Sequence, residues 1–431
     1  MKKRFIPHRP AALLLAAALL LSGCSAQTAG LLPAKSTNLL AGVTAQAADT
    51  ATPAASDTRF TEAQATFALA LFAKAYAAAD GRDTLLAPLS ISTTLAMTAN
   101  GANGETKAQM EQVLGGLPVA ELNTHYARLK EALAGDTTLH QANALWLRDE
   151  KDRLHINDSF LQALADHYDA GAYKAPFTEQ TRKEINAFVR KHTNGQIDQL
   201  VDSIDENSLL YLVNALDFDA EWAEPYGEHG IQKAYFYPRN GSAHTTQVLC
   251  GTEHQYIEDG MATGFIKDYA GGKYAFVALL PNTDVMLDDY VQHLAADPAA
   301  LLACIRRPEE ATVITQMPLF SCDSQLELSG MLASMGMTDA FTDKADFSAL
   351  GYSENGTITI SRVLHRTHIT VDANGTKAGA ATAVELENGA AMPENPREVL
   401  LNRPFVYLIV QRATGLPVFI GTVMDTTRPG G

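Results

Sequence analysis

The sequence lacks the short motifs that mark most hydrolases and nucleotide-binding enzymes. It contains no GxSxG nucleophile elbow, no HExxH zinc motif, no Walker A loop and no GxGxxG fingerprint. His365, His368 and Asp372 lie near one another along the chain, but no nucleophile signature accompanies them. These absences disfavour an enzyme.

Cysteine is also scarce, with 4 in 431 residues. Apart from Cys24 near the N-terminus, Cys250, Cys304 and Cys322 stand at unrelated spacings, without a CxxC pair or a Cys/His metal pattern. The sequence therefore predicts buried free thiols, no metal site and no cofactor. A single disulfide stays open as an alternative for an extracytoplasmic protein.

Basic residues are fewer than acidic ones, 33 Lys and Arg against 49 Asp and Glu. Residues 1–23 carry four of the basic residues and no acidic residue, so the remainder has a formal charge of 29 − 49 = −20. An acidic chain is poorly suited to bind nucleic acid or anionic lipid. Neither is predicted as an electrostatic partner.

The N-terminus has the pattern of a targeting segment. Basic residues precede an apolar run over residues 11–21, which is too short for a confident membrane span and typical of a secretory signal peptide. Residues 21–24, Leu-Ser-Gly-Cys, resemble the bacterial lipobox, which implies cleavage after residue 23 and lipidation of Cys24. A plain signal peptide with a chance cysteine is the alternative. Residues 24–58, rich in Ala, Thr, Ser and Gln, are predicted to be a flexible tether.

The most informative segment is 376–387, TKAGAATAVELE. Its even-numbered positions are all uncharged, and every charge falls on an odd-numbered position. This alternation is typical of a half-buried strand. Glycine, asparagine and proline crowd both flanks, however, which favours an exposed loop. A strand pattern in a loop setting suggests a conformational switch, although a short surface helix or an edge strand also fits these residues.

The sequence around this segment resembles the C-terminal third of a serpin. Residues 364–376 precede it, and 401–410 and 415–423 follow it with the family's N-x-P-F and F-x-G-x-V strand motifs. Further blocks resemble the family in the same order, at 87–92, 103–106, 141–146, 185–197, 212–222, 317–320 and 335–341. The resemblance covers residues 59–427, which we interpret as one domain.

The resemblance implies an α+β fold of three β-sheets and about eight or nine helices, with an exposed reactive-centre loop at about 375–400. It also implies a mechanism. A target protease cleaves the loop and forms an acyl-enzyme, and the freed loop then inserts into the main sheet and distorts the protease. Insertion of this kind adds a strand to a sheet and releases strain stored in the intact protein.

The resemblance assigns residues to two regions. The hinge of the loop comprises Gly375, Thr376, Lys377, Ala378, Gly379, Ala380, Ala381 and Thr382. The shutter and breach, which control separation of the strands, comprise Ser90, Asn214, Trp222 and His365, with a hydrogen bond expected between Asn214 and His365.

Four positions named here depart from the family pattern. Ala373 and Leu319 replace a Glu–Lys ion pair, which suggests an apolar contact in its place. Lys377 replaces a glutamate, but it would point outward from an inserted strand. Ala87 stands where the family has the first serine of the shutter.

The family's usual spacing from the hinge places the scissile bond at Gly389–Ala390. The segment that follows is longer than usual, so the window comprises Gly389, Ala390, Ala391 and Met392. No Lys or Arg lies between residues 378 and 396, which disfavours a trypsin-like target. Cleavage after Ala390 or Ala391 by an elastase-like or subtilisin-like protease is favoured.

The sequence therefore predicts a monomeric suicide inhibitor of extracellular serine proteases, anchored to a bacterial cell membrane through Cys24. A cysteine protease target and a shed form stay open. The alternative is a non-inhibitory serpin that acts as a cell-surface binding or carrier module. The small residues of the hinge favour inhibition.

Overall fold

The fold combines helices with three β-sheets in the part of the chain that the structure describes. The computed structural model describes residues 35–46, 57–149, 151–205, 207–354, 356–376 and 395–427. Within these ranges there are nine α-helices and three sheets, so the predicted α+β fold class is confirmed.

The helices pack on both sides of the sheets. They are α1 (Asp57–Ala79), α2 (Pro88–Ala99), α3 (Gly104–Val113), α4 (Val119–Leu133), α5 (Asp158–His167), α6 (Glu179–His192), α7 (Leu287–Ala296), α8 (Pro298–Arg306) and α9 (Ser329–Ser334).

The first strands in chain order are β1 (Thr37–Asn38), β2 (Thr84–Leu86), β3 (Leu139–Arg148), β4 (Leu154–Ile156), β5 (Gly171–Ala175), β6 (Leu210–Phe218), β7 (Ala220–Glu221), β8 (Ile231–Phe236), β9 (His244–Glu258) and β10 (Ala262–Asp268). The remaining strands are β11 (Tyr274–Pro281), β12 (Glu309–Pro318), β13 (Phe320–Glu327), β14 (Gly351–Ser353), β15 (Ile360–Val371), β16 (Gly375–Thr376), β17 (Arg397–Leu400), β18 (Phe405–Gln411) and β19 (Pro417–Val423).

The main sheet has eight strands in the order β1-β5-β3-β6-β15-β16-β7, with β13 also paired to β15. The second sheet has nine strands in the order β17-β12-β9-β10-β11-β18-β19-β2, with β8 paired to β9. Strands β14 and β4 form a small third sheet. The predicted reactive loop at about 375–400 thus begins with β16 in the main sheet and ends with β17 in the second sheet.

The main sheet is buried on both faces, and β6 shows why its sequence is almost continuously apolar. Leu212 and Leu216 belong to the large core between the two sheets. Tyr211 and Val213 point to the opposite face and pack in a smaller cluster with Ile185 of α6. The alternation along one strand thus places the strand between two hydrophobic layers.

Helix α6, which covers that second face, has well-defined ends. Thr178 and Thr181 form a capping box at its N-terminus. Its last turn carries Arg190, Lys191 and His192, and basic side chains there complement the helix dipole.

The predicted tether at 24–58 includes a segment that the structure does not show as a flexible linker. Residues 37–38 form β1 and pair antiparallel with β5 at the edge of the main sheet. Leu39, Leu40 and Val43 pack against the large core, and Gln46 donates its N–H to Asp166 at 2.7 Å. Because an edge strand offers unpaired backbone groups, even a polar segment gains hydrogen bonds there. The tether prediction does not hold for 35–46, or for 57–58, which begin α1; residues 24–34 and 47–56 lie outside the described residues.

Among the described residues, no helix has both the length and the hydropathy needed to cross a membrane.

Candidate functional site at the seam of the main sheet

Among the described residues the main sheet contains two parallel pairs, β3 with β5 and β6 with β15, and we call the pairing of β6 with β15 the seam. It runs from Ile360 opposite Leu210 to His368 opposite Asp217. A strand placed between two parallel strands, and running the other way, would form antiparallel ladders with both. Both parallel pairs could accept one more strand in this way, but only the seam ends where β16 pairs with β15 and β7.

The chain leaves β15 in a tight turn and starts back toward the seam. The Asp372 carboxylate accepts hydrogen bonds from the N–H groups of Asn374 at 2.8 Å and Gly375 at 3.1 Å. Strand β16 then pairs antiparallel with β15 on one side and with β7 on the other. The first two residues of the predicted hinge, Gly375 and Thr376, thus already occupy a strand position at the top of the seam.

The space around β16 explains its two residues. A Cβ atom on Gly375 would lie 2.1 Å from the carbonyl oxygen of Ala220 and 2.8 Å from the Cα atom of Glu221, so only glycine fits. Thr376 is fully buried, and its hydroxyl shares a hydrogen bond of 2.6 Å with the Tyr269 hydroxyl. The buried polar atom is therefore satisfied.

Trp222, predicted as a breach residue, holds the turn in place. Its backbone N–H donates to the Asn374 carbonyl at 2.8 Å, and its indole N–H donates to the Asp372 carbonyl at 2.9 Å. Tyr226 donates its N–H to the Ala373 carbonyl at 2.9 Å. The segment after β7 therefore anchors three consecutive carbonyl groups of the turn.

A buried ion pair that the sequence analysis missed lies beneath this anchor. The Lys267 ammonium is 2.8 Å from a Glu253 carboxylate oxygen, and the two side chains are 5% and 12% exposed. The same ammonium lies 5.5 Å from the centroid of the Trp222 ring and 4.5 Å from that of Tyr226. Burial raises the pKa of Glu253, although Lys267 acts to lower it. The cation thus supports both anchoring rings through cation–π contacts.

The predicted shutter residues meet lower in the seam. The Asn214 amide donates to Ser90 Oγ at 2.6 Å, Asn143 Oδ1 at 2.7 Å and Thr94 Oγ1 at 3.1 Å. Its carbonyl oxygen is hydrogen-bonded to His365 Nδ1, as the resemblance implied. Asn143 and Thr94 were not predicted, and nothing in the local sequence marks them. The gating role of the cluster stays a prediction.

The protonation of His365 follows from its partners. Its Nε2 faces the backbone N–H of Ala87 at 3.1 Å, and an N–H can only donate, so Nε2 accepts. The proton therefore sits on Nδ1 and is donated to Asn214. Complete burial lowers the pKa of His365 to about 3, so the ring is neutral at physiological pH. The backbone of Ala87 supplies this contact whatever its side chain, which makes the missing serine tolerable.

The two positions that lack the family's ion pair are both apolar and half-buried. Ala373 and Leu319 each pack against the large core. No charge is left buried alone by the double replacement. A direct apolar contact between Ala373 and Leu319 stays a prediction.

Several predicted residues fall outside the described ranges. They are Lys377, Ala378, Gly379, Ala380, Ala381 and Thr382 of the hinge, Gly389, Ala390, Ala391 and Met392 of the scissile window, and Cys24.

The other three cysteines are free thiols, as the sequence predicted. Cys250 and Cys304 are half-buried and Cys322 is buried. Burial raises the pKa of Cys322 to about 12, so its thiol is unreactive at neutral pH. Within the described ranges, no group of three or more His, Cys, Asp or Glu residues could hold a metal ion.

Comparison with known proteins agrees with this arrangement. The family model described as serpin (serine protease inhibitor) matches residues 62–426. Alpha-1-antiproteinase S of Cavia porcellus is 30% identical over 79% of this chain and 84% of its own length. The corticosteroid-binding globulin of Oryctolagus cuniculus is 29% identical over 83% of this chain and 93% of its own length.

Solved structures give the same result. Tengpin, a thermophilic serpin, is 36% identical, and its native-state structure matches with a TM-score of 0.84 over 91% of this chain and 100% of that chain. Its latent-state structure matches with a TM-score of 0.74 over 86% and 98%. The chain therefore belongs to the serpin (serine protease inhibitor) family and is not a catalytic enzyme.

Proposed function

We propose that this serpin is a suicide-substrate inhibitor of extracellular serine proteases with elastase-like or subtilisin-like specificity. The target cleaves the loop within residues 389–392 and becomes acylated. The freed loop inserts into the seam as a strand antiparallel to β6 and β15, and the attached protease moves with it. The observation that carries the proposal is β16, which begins such a strand in the intact protein.

The pairing of β16 supports insertion in a defined register. Thr376 lies opposite Val371 of β15 and opposite Ala220 of β7. Extending both pairings one residue at a time places residue 379 opposite His368 and also opposite Asp217. Those two residues are themselves partners across the seam. A chain continuing beyond β16 would therefore enter the seam without a change of register.

The same register decides which side chains become buried. Directly opposed residues share a face, so even-numbered residues 378–384 would lie beside Ile369, Thr367, His365 and Val363, all of which are buried. Odd-numbered residues would lie beside half-exposed side chains of β15 such as His368 and Arg366, although their β6 neighbours on that face, such as Ala215, are buried. The alternation of the segment matches this division, since its charges occupy only odd positions.

Insertion of this strand would be strongly favourable. Roughly twelve new backbone hydrogen bonds, at about 0.5–1.5 kcal/mol each, contribute about 6–18 kcal/mol. Burial of Val384 and Leu386 adds a few kcal/mol. This sum is comparable to the total stability of a typical domain. The stability of the intact form is then kinetic, because the closed seam must open before the loop can insert.

The target class follows from the loop sequence. Small residues and one methionine fill the scissile window, and no basic residue lies between 378 and 396. A protease whose specificity pocket requires a basic side chain therefore finds none in this loop, whereas a protease with a small apolar pocket finds suitable residues. We further propose that Cys24 is lipidated and holds the inhibitor on the outer side of a bacterial cell membrane, with 1–23 as the signal peptide and 59–427 as the inhibitory domain.

The experiment mixes the protein with pancreatic elastase and separates the products on a denaturing gel, with mass analysis of the released peptide. A band at the summed masses would show covalent trapping, and the peptide would identify the scissile bond. Cleavage without such a band, with elastase, subtilisin and chymotrypsin alike, would contradict the proposal.

A matched pair of variants tests insertion itself. Ala380→Glu would place a charge in the core of the inserted sheet, next to Thr367, and should convert the protein from an inhibitor into a substrate. Ala381→Glu would place the same charge on the other face, between the buried Ala215 and the half-exposed Arg366, whose cation can pair with it, and should reduce trapping much less. Equal trapping by both variants would contradict insertion in this register.

The second candidate is a carrier, favoured by the similarity to a corticosteroid-binding globulin. Loop cleavage separates the two functions. An inhibitor should become much more resistant to heat after cleavage, whereas a carrier whose loop stays out of the sheet should not.

A further inference from the structure

A row of four ionisable side chains crosses the main sheet at the upper end of the seam. His140 of β3 lies opposite Asp217 of β6, Asp217 lies opposite His368 of β15, and His368 lies opposite Asp323 of β13. Directly opposed residues project from the same face of a sheet. Asp217 and His368 are the last pair of the seam before the hinge, so an inserting strand would meet them first.

Asp217 is an unusual residue for this position. Asp217 is only 2% exposed, and its Oδ1 atom has no hydrogen-bond partner among the described residues. Burial, and secondarily the negative charge of Asp219, raise the pKa of Asp217 to about 7. An ionised carboxylate in this setting destabilises the closed seam, whereas a protonated one does not.

The basic side chains nearest to Asp217 either pair with another carboxylate or have a lowered pKa. Arg366, on the same face of β15, pairs with Asp323 at 2.8 Å. Burial lowers the pKa of His368, an effect that Asp323 opposes and Arg366 reinforces. On the other side, His140 lines a cavity of about 420 Å³ together with His192 of α6, Lys130 and Asp136. No cation is among the causes that shift Asp217.

We propose that Asp217 is a proton-dependent lock on the seam, which keeps β6 and β15 together when protonated and favours their separation when ionised. The lock extends the proposed function, because opening of the seam has a consequence only if a loop inserts. The intact inhibitor would persist in mildly acidic surroundings and insert its loop faster at neutral and alkaline pH.

The direction and the size of the pH effect on seam opening follow from the linkage between proton binding and opening. The closed sheet holds the proton of Asp217 up to about pH 7, whereas a solvated aspartate loses it near about pH 4. The closed seam is therefore most stable at low pH, loses stability as the pH rises through this window, and changes little above it. Between about pH 5.5 and about pH 8, the opening constant should rise by up to about thirtyfold through this one group.

Two histidines act in the opposite direction. Burial lowers the pKa of both His365 and His368, so their contribution to the closed seam is lost as the pH falls. The pH dependence of the wild-type protein is thus a sum of opposed contributions. The contribution of Asp217 is isolated by comparison with Asp217→Asn, which resembles the protonated form at every pH.

Hydrogen exchange of the full chain, followed by mass spectrometry, measures this opening without a protease. Protection factors, corrected for the intrinsic exchange rate at each pH, are compared at about pH 5.5 and about pH 8 for residues 212–218 and 363–369. Strands β10 and β11 of the second sheet serve as an internal reference. The ratio of protection at the two pH values should be larger in the wild type than in Asp217→Asn by up to about thirtyfold.

Equal ratios in the wild type and Asp217→Asn would overturn the lock. The control is Asp343→Asn, which replaces an exposed aspartate distant in sequence from Asp217 and should behave as the wild type. If Asp217→Asn does not fold, Asp219→Asn replaces it. This variant should lower the ratio of protection at about pH 5.5 to that at about pH 8, because it removes a charge that raises the pKa of Asp217. An unchanged ratio in Asp219→Asn would then overturn the lock. Failure to trap a protease would contradict the proposed function without affecting this result.

Discussion

Replacing Gly375 by alanine should dislodge the strand that begins in the intact protein. The added Cβ atom would lie 2.1 Å from the Ala220 carbonyl oxygen and 3.0 Å from its carbonyl carbon. Both neighbours are backbone atoms, which cannot rotate away as a side chain could. The clash is relieved only if β16 moves away from β7 by about an ångström, and this movement breaks their pairing.

The cost can be estimated from the contacts that would be lost. Separation of β16 from β7 removes about two backbone hydrogen bonds, at about 0.5–1.5 kcal/mol each. The hydrogen bond between Thr376 and Tyr269 adds about 1 kcal/mol. Gly375→Ala should therefore lower the free energy of unfolding by about 2–4 kcal/mol. It should also reduce trapping of elastase, because the inserting strand would begin from a displaced position.

The assay is urea unfolding, with Gly330→Ala as the control. Gly330 lies in α9 and a Cβ atom there meets nothing within 4 Å, so alanine should be neutral or stabilise by up to about 1 kcal/mol. If Gly375→Ala unfolds at the same urea concentration as the wild type and traps elastase equally well, β16 is not wedged between β15 and β7, and the reasoning fails.

Three other predictions follow from the site. Between about pH 7 and about pH 4 the closed form should lose about 3 kcal/mol through His365, whose pKa lies at about 3 when buried and near about 6.5 in water; urea titrations should show this loss in the wild type but not in His365→Gln. Lys377→Glu should trap less protease, because residue 377 of an inserted strand would lie opposite Asp219, and adding Asp219→Lys should restore trapping; a double variant no better than Lys377→Glu would refute the pairing. Cys24→Ala should move the protein from the detergent phase to the aqueous phase in a phase-partition assay, whereas equal partition would favour a plain signal peptide.

Much of the fold and part of the site could be predicted because they depend on local patterns. The alternation over 376–387 identified which face of an inserted strand is apolar, and the motifs around it identified the family. Trp222, Asn214 and His365 were assigned through the sequence blocks that resemble the family, and they lie directly after β7, in β6 and in β15. Their role in strand separation stays a prediction. The hydrogen bond between Asn214 and His365 was expected and is present.

The remainder depends on contacts between distant segments. Asn143 lies 71 residues from Asn214 and shares its amide only because β3 and β6 are neighbours. Lys267 follows apolar residues in β10 and shows no sign in sequence that it lies under Trp222. Asp217 falls within a nearly continuous apolar strand, and its importance depends on its partner His368 across the seam. Residues 35–46 are held both by the open edge of β5 and by packing of Leu39, Leu40 and Val43 on the large core, and both contacts are with distant segments.

The order of events during insertion follows from the register. A strand continuing from Thr376 would pass Asp217 and His368 at residue 379, and would reach Asn214 and His365 at residue 382. Their hydrogen bond must then break, because the new strand comes between them.

Residue 382 is a threonine, whose hydroxyl can both donate and accept, so it can replace both halves of the broken bond. Valine has nearly the same shape without the hydroxyl, and it would leave buried groups of Asn214 and His365 unsatisfied at a cost of about 1–3 kcal/mol. Thr382→Val should therefore leave the stability of the intact form unchanged while the cleaved form gains less stability than the cleaved wild type. Unfolding of intact and cleaved forms in denaturant measures both quantities. An equal gain in the two proteins would mean that the inserted strand does not place residue 382 between Asn214 and His365.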